Sequence, residues 1–78
     1  MTKKQKYNHV FMETFGISEG DLAELEYNAI QAWDSVGHMG LMAALEDTFD
    51  IMLDMEEIID FSSYKVGIET LEKHNIHF

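Results

Sequence analysis

Hydrophobic residues recur every three or four positions in the first part of the chain, which is the spacing that places side chains on one face of a helix. The repeating positions are Tyr7, Val10, Phe11 and Phe15. This pattern predicts a first helix from about Lys3 to Phe15. Gly16 follows directly and is predicted to end the helix, because glycine adopts left-handed backbone angles without a steric cost.

The same spacing returns after residue 34 and predicts three more helices. Asp34 is a good N-cap for a second helix that continues to Asp50, because its carboxylate can accept hydrogen bonds from the first backbone N–H groups. Asp54 predicts the start of a short third helix, and Ser62 or Ser63 predicts the start of a last helix. The apolar positions of these helices are Met39, Leu41, Met42, Leu45 and Phe49, then Met55, Ile58 and Ile59, then Val66, Ile68 and Leu71.

Residues 16–34 form a long connection between the first two helices and have no periodic pattern. Connections without secondary structure that exceed about 12–15 residues are uncommon in compact domains and usually serve a function. Four apolar side chains are spaced so that they can attach this connection to a core: Leu22, Leu25, Ile30 and Trp33. We therefore predict that residues 1–78 form one all-α domain, a four-helix bundle with three longer helices, one short helix and a long loop between helices 1 and 2.

The charged residues are segregated along the chain, and this narrows the range of partners. The formal net charge is −10, and residues 7–64 contain thirteen carboxylates and no lysine or arginine. Such a surface repels phosphate backbones, so nucleic acid is not an expected partner, whereas basic patches on other proteins are. The absence of cysteine excludes disulfides, thiolate metal sites and cysteine nucleophiles.

The size and hydropathy of the chain limit its class further. No run approaches the about 18 apolar residues of a membrane-spanning helix, and the basic residues 1–5 are not followed by the apolar region of a signal peptide. A domain of 78 residues buries too little surface to enclose a deep catalytic cleft. We therefore expect a cytoplasmic, monomeric protein that is not an enzyme and has no membrane span.

Ser35 stands at the first turn of the second helix, directly after the Asp34 cap. A hydroxyl at this position is exposed and rigidly presented, and the positive end of the helix dipole favours an anion such as a phosphodiester. The neighbouring Asp34 carboxylate is a suitable ligand for a hard cation such as Mg²⁺. These properties suit a serine that another enzyme phosphorylates or pantetheinylates, although an aspartate–serine pair is also an ordinary helix start.

His38 is interpreted as a surface docking contact rather than as a catalytic base. His38 lies about one turn from Ser35, but no Gly-x-Ser-x-Gly elbow surrounds the serine and Asp34 is poorly placed to orient an imidazole. A small serine hydrolase is therefore disfavoured, and neither catalytic residues nor metal ligands are predicted. Four methionines are interpreted as flexible core filling: Met39, Met42, Met52 and Met55.

The segment from Trp33 to Met39 resembles the Asp-Ser-Leu motif of acyl, peptidyl and D-alanyl carrier proteins. Residues 41–51 resemble the rest of that family's second helix, with its Leu, Leu, Phe spacing and closing acidic cluster. Residues 61–71 resemble the start of its last helix. The resemblance implies an acyl-carrier-type bundle, which holds an acyl or aminoacyl cargo as a thioester on 4′-phosphopantetheine and serves lipid or secondary-metabolite biosynthesis.

Carried over to this chain, the resemblance implies that a phosphopantetheinyl transferase attaches 4′-phosphopantetheine from CoA to Ser35. Asp34 would lie against the Mg²⁺ and the CoA in the complex with that transferase. Enzymes that load and transfer the cargo would dock through basic patches, mainly onto the second helix. The implied docking residues are Val36, His38, Met39, Met42, Glu46, Asp47 and Ile58.

The chain departs from the family pattern early in the second helix, where Gly37, His38 and Gly40 replace the acidic residues typical of fatty-acid-synthesis carriers. An interior glycine destabilises a helix by up to about 1 kcal/mol relative to alanine, so this face is expected to be less acidic and more pliable. The departure favours a free-standing carrier of a specialised pathway. The alternative function is a small acidic adaptor that docks through the second helix without modification and tolerates alanine at position 35.

Overall fold

The computed structural model describes residues 1–78. It contains four α-helices and no β-strand. The helices are α1 (Lys3–Phe15), α2 (Ser35–Phe49), α3 (Met55–Asp60) and α4 (Tyr64–Glu72). The predicted all-α fold with three longer helices and one short helix is therefore confirmed. None of the four combines the length and the apolar character that a helix needs to cross a membrane.

Local hydrogen bonds fix the ends of the helices. α1 ends at Gly16, which has the left-handed φ of 65° and donates its N–H to the carbonyl of Met12 at 2.8 Å. The Asp54 carboxylate accepts from the N–H of Glu57 at 2.8 Å and begins α3. Ser63, rather than Ser62, caps α4. These contacts lie within four residues of each helix end, which is why the sequence signals locate the ends closely.

The core is formed mainly by aromatic and leucine side chains of α1, α2 and the long connection. Trp33 is fully buried, and its ring stacks on Phe15 at a centroid distance of 5.3 Å. The predicted attachment of the connection to the core is confirmed, because Leu22 and Leu25 are also buried and Ile30 is half-buried. The other buried hydrophobic residues are Tyr7, Val10, Phe11, Leu41, Met42, Leu45, Leu53, Phe61, Tyr64 and Leu71.

A short antiparallel bridge joins the long connection to the start of α4. The N–H of Tyr27 donates to the carbonyl of Ser62 at 2.9 Å, and the N–H of Tyr64 donates to the carbonyl of Leu25 at 3.0 Å. The connection is thus held at its C-terminal end by Trp33, next to α2, and in its middle by this bridge, next to α4. As a result, Tyr27 lies near the first turn of α2, where it contacts the ring of His38.

The interpretation of the methionines as core filling is wrong for three of the four. Met42 is buried, but Met39, Met52 and Met55 are 55%, 84% and 76% exposed. Met52 lies between α2 and α3, outside any helix, and Met55 begins α3, which has six residues and buries none of them. Among the apolar positions of α4, Leu71 is buried, whereas Val66 and Ile68 are half-buried.

Candidate functional site

Asp34 caps α2 through its side chain, as predicted. Its Oδ1 accepts a hydrogen bond from the N–H of Gly37 at 2.8 Å, and its backbone carbonyl accepts from the N–H of His38 at 2.8 Å. Ser35 is therefore the first residue of the helix, and its side chain is exposed. A fixed backbone with an exposed hydroxyl at a helix N-terminus is a suitable position for a group that carries a phosphate diester.

Trp33, the residue before the Asp34 cap, anchors the site to the core. Trp33 is 0% exposed, its N–H donates to the carbonyl of Ile30, and its carbonyl accepts from the N–H of Asn28. Asn28 has a positive φ of 66°, a left-handed conformation that asparagine tolerates better than most residues. The backbone that leads into Ser35 is consequently held from both sides, which limits the movement of the serine.

Position 37 requires glycine because the backbone of the long connection comes close to α2 at this point. A Cβ atom at this position would collide with the backbone carbonyl of Ala32, which cannot rotate away. Gly40, one turn further along α2, has open space around it. The expectation that both glycines make this face pliable therefore needs correction, because Gly37 is part of a tight contact between the long connection and the helix.

His38 is largely buried and uses both ring nitrogens. Its Nδ1 accepts a hydrogen bond from Nε1 of Trp33 at 2.9 Å, and its Nε2 lies 2.6 Å from the carbonyl oxygen of Ile58. An indole N–H only donates, so Nδ1 must be the acceptor and Nε2 must carry the proton that is donated to Ile58. His38 thus connects the residue before the Asp34 cap to α3, and it has no free nitrogen to act as a base for Ser35.

A groove of about 420 Å³ lies between α2 and α3 and opens beside Ser35. Its lining is mainly apolar and aromatic, with hydroxyl groups at Ser35, Ser62 and Tyr27. The lining residues are Tyr27, Ser35, His38, Met39, Ile58, Ile59, Phe61 and Ser62. Three of the implied docking residues therefore meet Ser35 at one groove, namely His38, Met39 and Ile58.

The implied docking residues differ widely in accessibility. Val36 is 79% exposed, and Met39 and Asp47 are also exposed, so these three are open to a partner. Met42 is buried, so a partner reaches it only if the bundle rearranges, whereas His38 is largely buried and is accessible only through the groove. The remaining two are Glu46, whose Oε2 accepts from the N–H of Leu53 at 2.8 Å, and Ile58, which is half-buried.

Four lining residues of the groove were not predicted as site residues: Tyr27, Ile59, Phe61 and Ser62. Tyr27 lies in the irregular connection, where no periodic pattern indicates which side chains face α2. Ile59 was placed on the short helix, but α3 has fewer than two turns, so its spacing does not define a face. The turn signal at Ser62 and Ser63 indicated a helix start and gave no information about a groove.

A comparison with protein-family models, with curated proteins and with solved structures finds no match for this chain. The features that point to a function are the residues themselves and the geometry around Ser35. That geometry consists of an exposed hydroxyl at the capped start of α2, beside an apolar groove.

Proposed function

We propose that this chain is a carrier protein that holds an acyl or aminoacyl cargo as a thioester on 4′-phosphopantetheine attached to Ser35. The observation that carries the proposal is the exposed Ser35 side chain at the first position of α2, directly after the Asp34 cap and beside the groove. The similarity of residues 33–71 to carrier proteins supports the same site. The arm would supply a terminal thiol that bonds the cargo, and the chain would hold and present it.

The residues around Ser35 fit a phosphodiester. During attachment, the Ser35 oxygen forms a bond to the β-phosphorus of CoA, the bond from that phosphorus to the adenosine bisphosphate breaks, and the hydroxyl proton passes to a base of the transferase. The N-terminal end of α2 favours the diester charge. Asp34 uses Oδ1 in the cap, and its carboxylate is exposed beside the serine, so it is the residue that would face Mg²⁺.

The proposal is tested by incubating the purified chain with CoA, Mg²⁺ and a broad-range phosphopantetheinyl transferase and measuring the intact mass. We expect the addition of one phosphopantetheine. Ser35→Ala should abolish the addition and leave the helical circular dichroism unchanged, because the side chain is exposed. The matched control is Ser62→Ala, which removes an exposed hydroxyl from the same groove and should be labelled like the wild type.

An unmodified wild type, under conditions that label a known carrier protein, would contradict the proposal. The second candidate is an adaptor that docks through α2 without modification. It is favoured by the exposed apolar side chains of Val36 and Met39 beside Ser35 and of Ile59 on α3. An adaptor would bind its partner equally well with alanine at position 35, whereas a carrier would lose its function.

A further inference from the structure

The ring of His38 joins three elements of the fold through two hydrogen bonds. The Nε1–H of Trp33, in the long connection, donates to Nδ1 of His38 on α2 at 2.9 Å, and Nε2 of His38 lies 2.6 Å from the carbonyl oxygen of Ile58 on α3. Trp33 is fully buried and His38 is 9% exposed, so the contact between the two rings is shielded from water. Through this ring, α3 is joined to a core residue at the groove beside Ser35.

These two hydrogen bonds require a neutral imidazole. Because an indole N–H can only donate, Nδ1 must keep its lone pair, and the single ring proton is on Nε2. Protonation of His38 would place a second N–H on Nδ1, directly facing the N–H of Trp33. The bond from Nε2 to Ile58 survives protonation, because Nε2 remains a donor. The contact with Trp33 is therefore the one that is lost.

No carboxylate is placed to balance a positive charge on His38. The titratable groups next to it in α2 and on the elements packed against it are Asp34, Tyr27, Glu56, Glu57 and Asp60. The Asp34 carboxylate accepts from the N–H of Gly37, and none of the four carboxylates forms an ion pair with His38. A buried charge without a partner is unfavourable. We therefore expect a protonated ring to move away from Trp33, toward the groove and water.

His74 responds to protonation in the opposite direction. Its Nε2 lies 2.9 and 3.0 Å from the two carboxylate oxygens of Glu57 on α3, and the two side chains are only 24% and 17% exposed. A protonated His74 keeps this hydrogen bond and adds the attraction between opposite charges. Acid therefore strengthens the contact of α3 with the end of α4, whereas it breaks the contact that joins α3 to Trp33 through His38.

We propose that His38 is an acid-sensitive latch, which joins α3 to Trp33 when its imidazole is neutral and releases Trp33 when it is protonated, while His74 retains α3 on α4. Histidine side chains change charge between about pH 5 and pH 8. His38 and Ile58 both line the groove beside Ser35, so the release alters one wall of that groove. This inference concerns the fold around Ser35 and does not depend on the group that is attached there.

The test is nuclear magnetic resonance of the unmodified chain between pH 8 and pH 5. Trp33 is the only tryptophan, so its indole N–H gives a single resonance. At pH 8 we expect the Nε2–H tautomer of His38 and an indole N–H that is protected from exchange with water. At pH 5 we expect a charged His38 and a protection, relative to free indole at the same pH, that is lower by about tenfold, as the loss of one hydrogen bond implies.

Two substitutions identify the histidine that is responsible. His38→Gln keeps an acceptor for the indole and a donor for the carbonyl of Ile58 but does not change charge, so its indole N–H should stay protected at pH 5. His74→Gln is the matched control, because its amide can donate to Glu57 and leaves His38 unchanged. The indole N–H of this control should lose its protection at pH 5 as in the wild type.

The proposal is overturned if His38 is the Nδ1–H tautomer at pH 8, if it stays neutral at pH 5, or if it becomes charged while the indole N–H remains protected. An equal loss of protection in His38→Gln would also overturn it, because acid would then loosen the fold in general. The tautomer and the charge are measured in the wild type, so the test is decisive even if a variant fails to fold. Failure of phosphopantetheine addition would remove the proposed function and leave these measurements unchanged.

Discussion

Two tyrosines link α1 to α4 through buried hydroxyl groups. The hydroxyl of Tyr7 donates to the backbone carbonyl of Tyr64 at 2.7 Å, and the hydroxyl of Tyr64 donates to Oδ1 of Asn8. Burial, and secondarily the charge of Tyr64, raises the pKa of Tyr7 well above its usual range. Burial also raises the pKa of Tyr64, with a further contribution from Glu19 and an opposing one from the Asn8 hydrogen bond. Both residues are therefore neutral donors in the folded state.

These shifts predict a loss of stability in alkaline solution. A group whose folded-state pKa lies above its unfolded value binds more protons in the folded state, so its contribution is complete below the unfolded pKa of about 10 and is lost as pH rises above it. We expect the free energy of unfolding to fall above about pH 10 and Tyr7→Phe to fall less steeply. Urea unfolding across this range measures both slopes, and equal slopes in the two proteins would contradict the assignment to Tyr7.

The two glycines of α2 differ in whether an alanine side chain would fit in their place. Glycine is a poor helix former at any interior position, so replacement by alanine stabilises a helix wherever space allows. Gly40 has that space, whereas a Cβ at Gly37 would meet the backbone carbonyl of Ala32. The contact at Gly37 brings the long connection close to α2, one turn from the Asp34 cap.

We therefore predict opposite effects for two alanine substitutions that lie three residues apart. Gly40→Ala should raise the free energy of unfolding by about 0.5–1 kcal/mol, the usual difference between glycine and alanine inside a helix. Gly37→Ala should lower it by about 1–3 kcal/mol, as overpacking against a backbone group does. Chemical denaturation of both variants gives the two values. An equal gain from both would mean that the Ala32 carbonyl moves aside freely.

The short helix α3 is joined to its neighbours by two polar contacts and by Ile58, which packs against the core. None of its residues is buried, but the carbonyl of Ile58 accepts from His38 on α2. Glu57 also lies in α3, and its carboxylate oxygens are 2.9 and 3.0 Å from Nε2 of His74, just after α4. His38 and His74 thus both contact α3, which forms one wall of the groove beside Ser35.

The helices were predictable from sequence because their signals are local. Gly16, Asp34 and Asp54 each act on a backbone group within four residues, so the neighbouring sequence contains the whole interaction. The division between core and surface was less predictable. Met39 and Met42 share the same helical spacing, yet only Met42 reaches the core, because Met39 borders the groove under α3.

At the scale of the whole molecule, local sequence signals could not predict the groove. It combines Tyr27 from the long connection, His38 from α2 and Phe61 from the segment before α4, which meet only after the chain folds. Nothing near His38 in the sequence indicates that its ring pairs with Trp33 and reaches Ile58. The position of Ser35 was predictable because it depends on the adjacent Asp34 cap.

The charge distribution predicts that salt stabilises the fold. The net charge is −10, and Lys65 with Glu24 is the only ion pair that involves a lysine, at 3.6 Å on the surface. Repulsion between exposed carboxylates is screened over a Debye length of about 10 Å at 0.1 M salt. We expect Tm to rise as NaCl increases to about 0.3 M, and to rise further with Mg²⁺.

Asp47→Asn, which removes an exposed carboxylate, should weaken this dependence of Tm on salt, whereas Lys65→Gln should strengthen it. Scanning calorimetry measures the slopes, and a Tm that is independent of salt in all three proteins would show that surface repulsion does not limit stability.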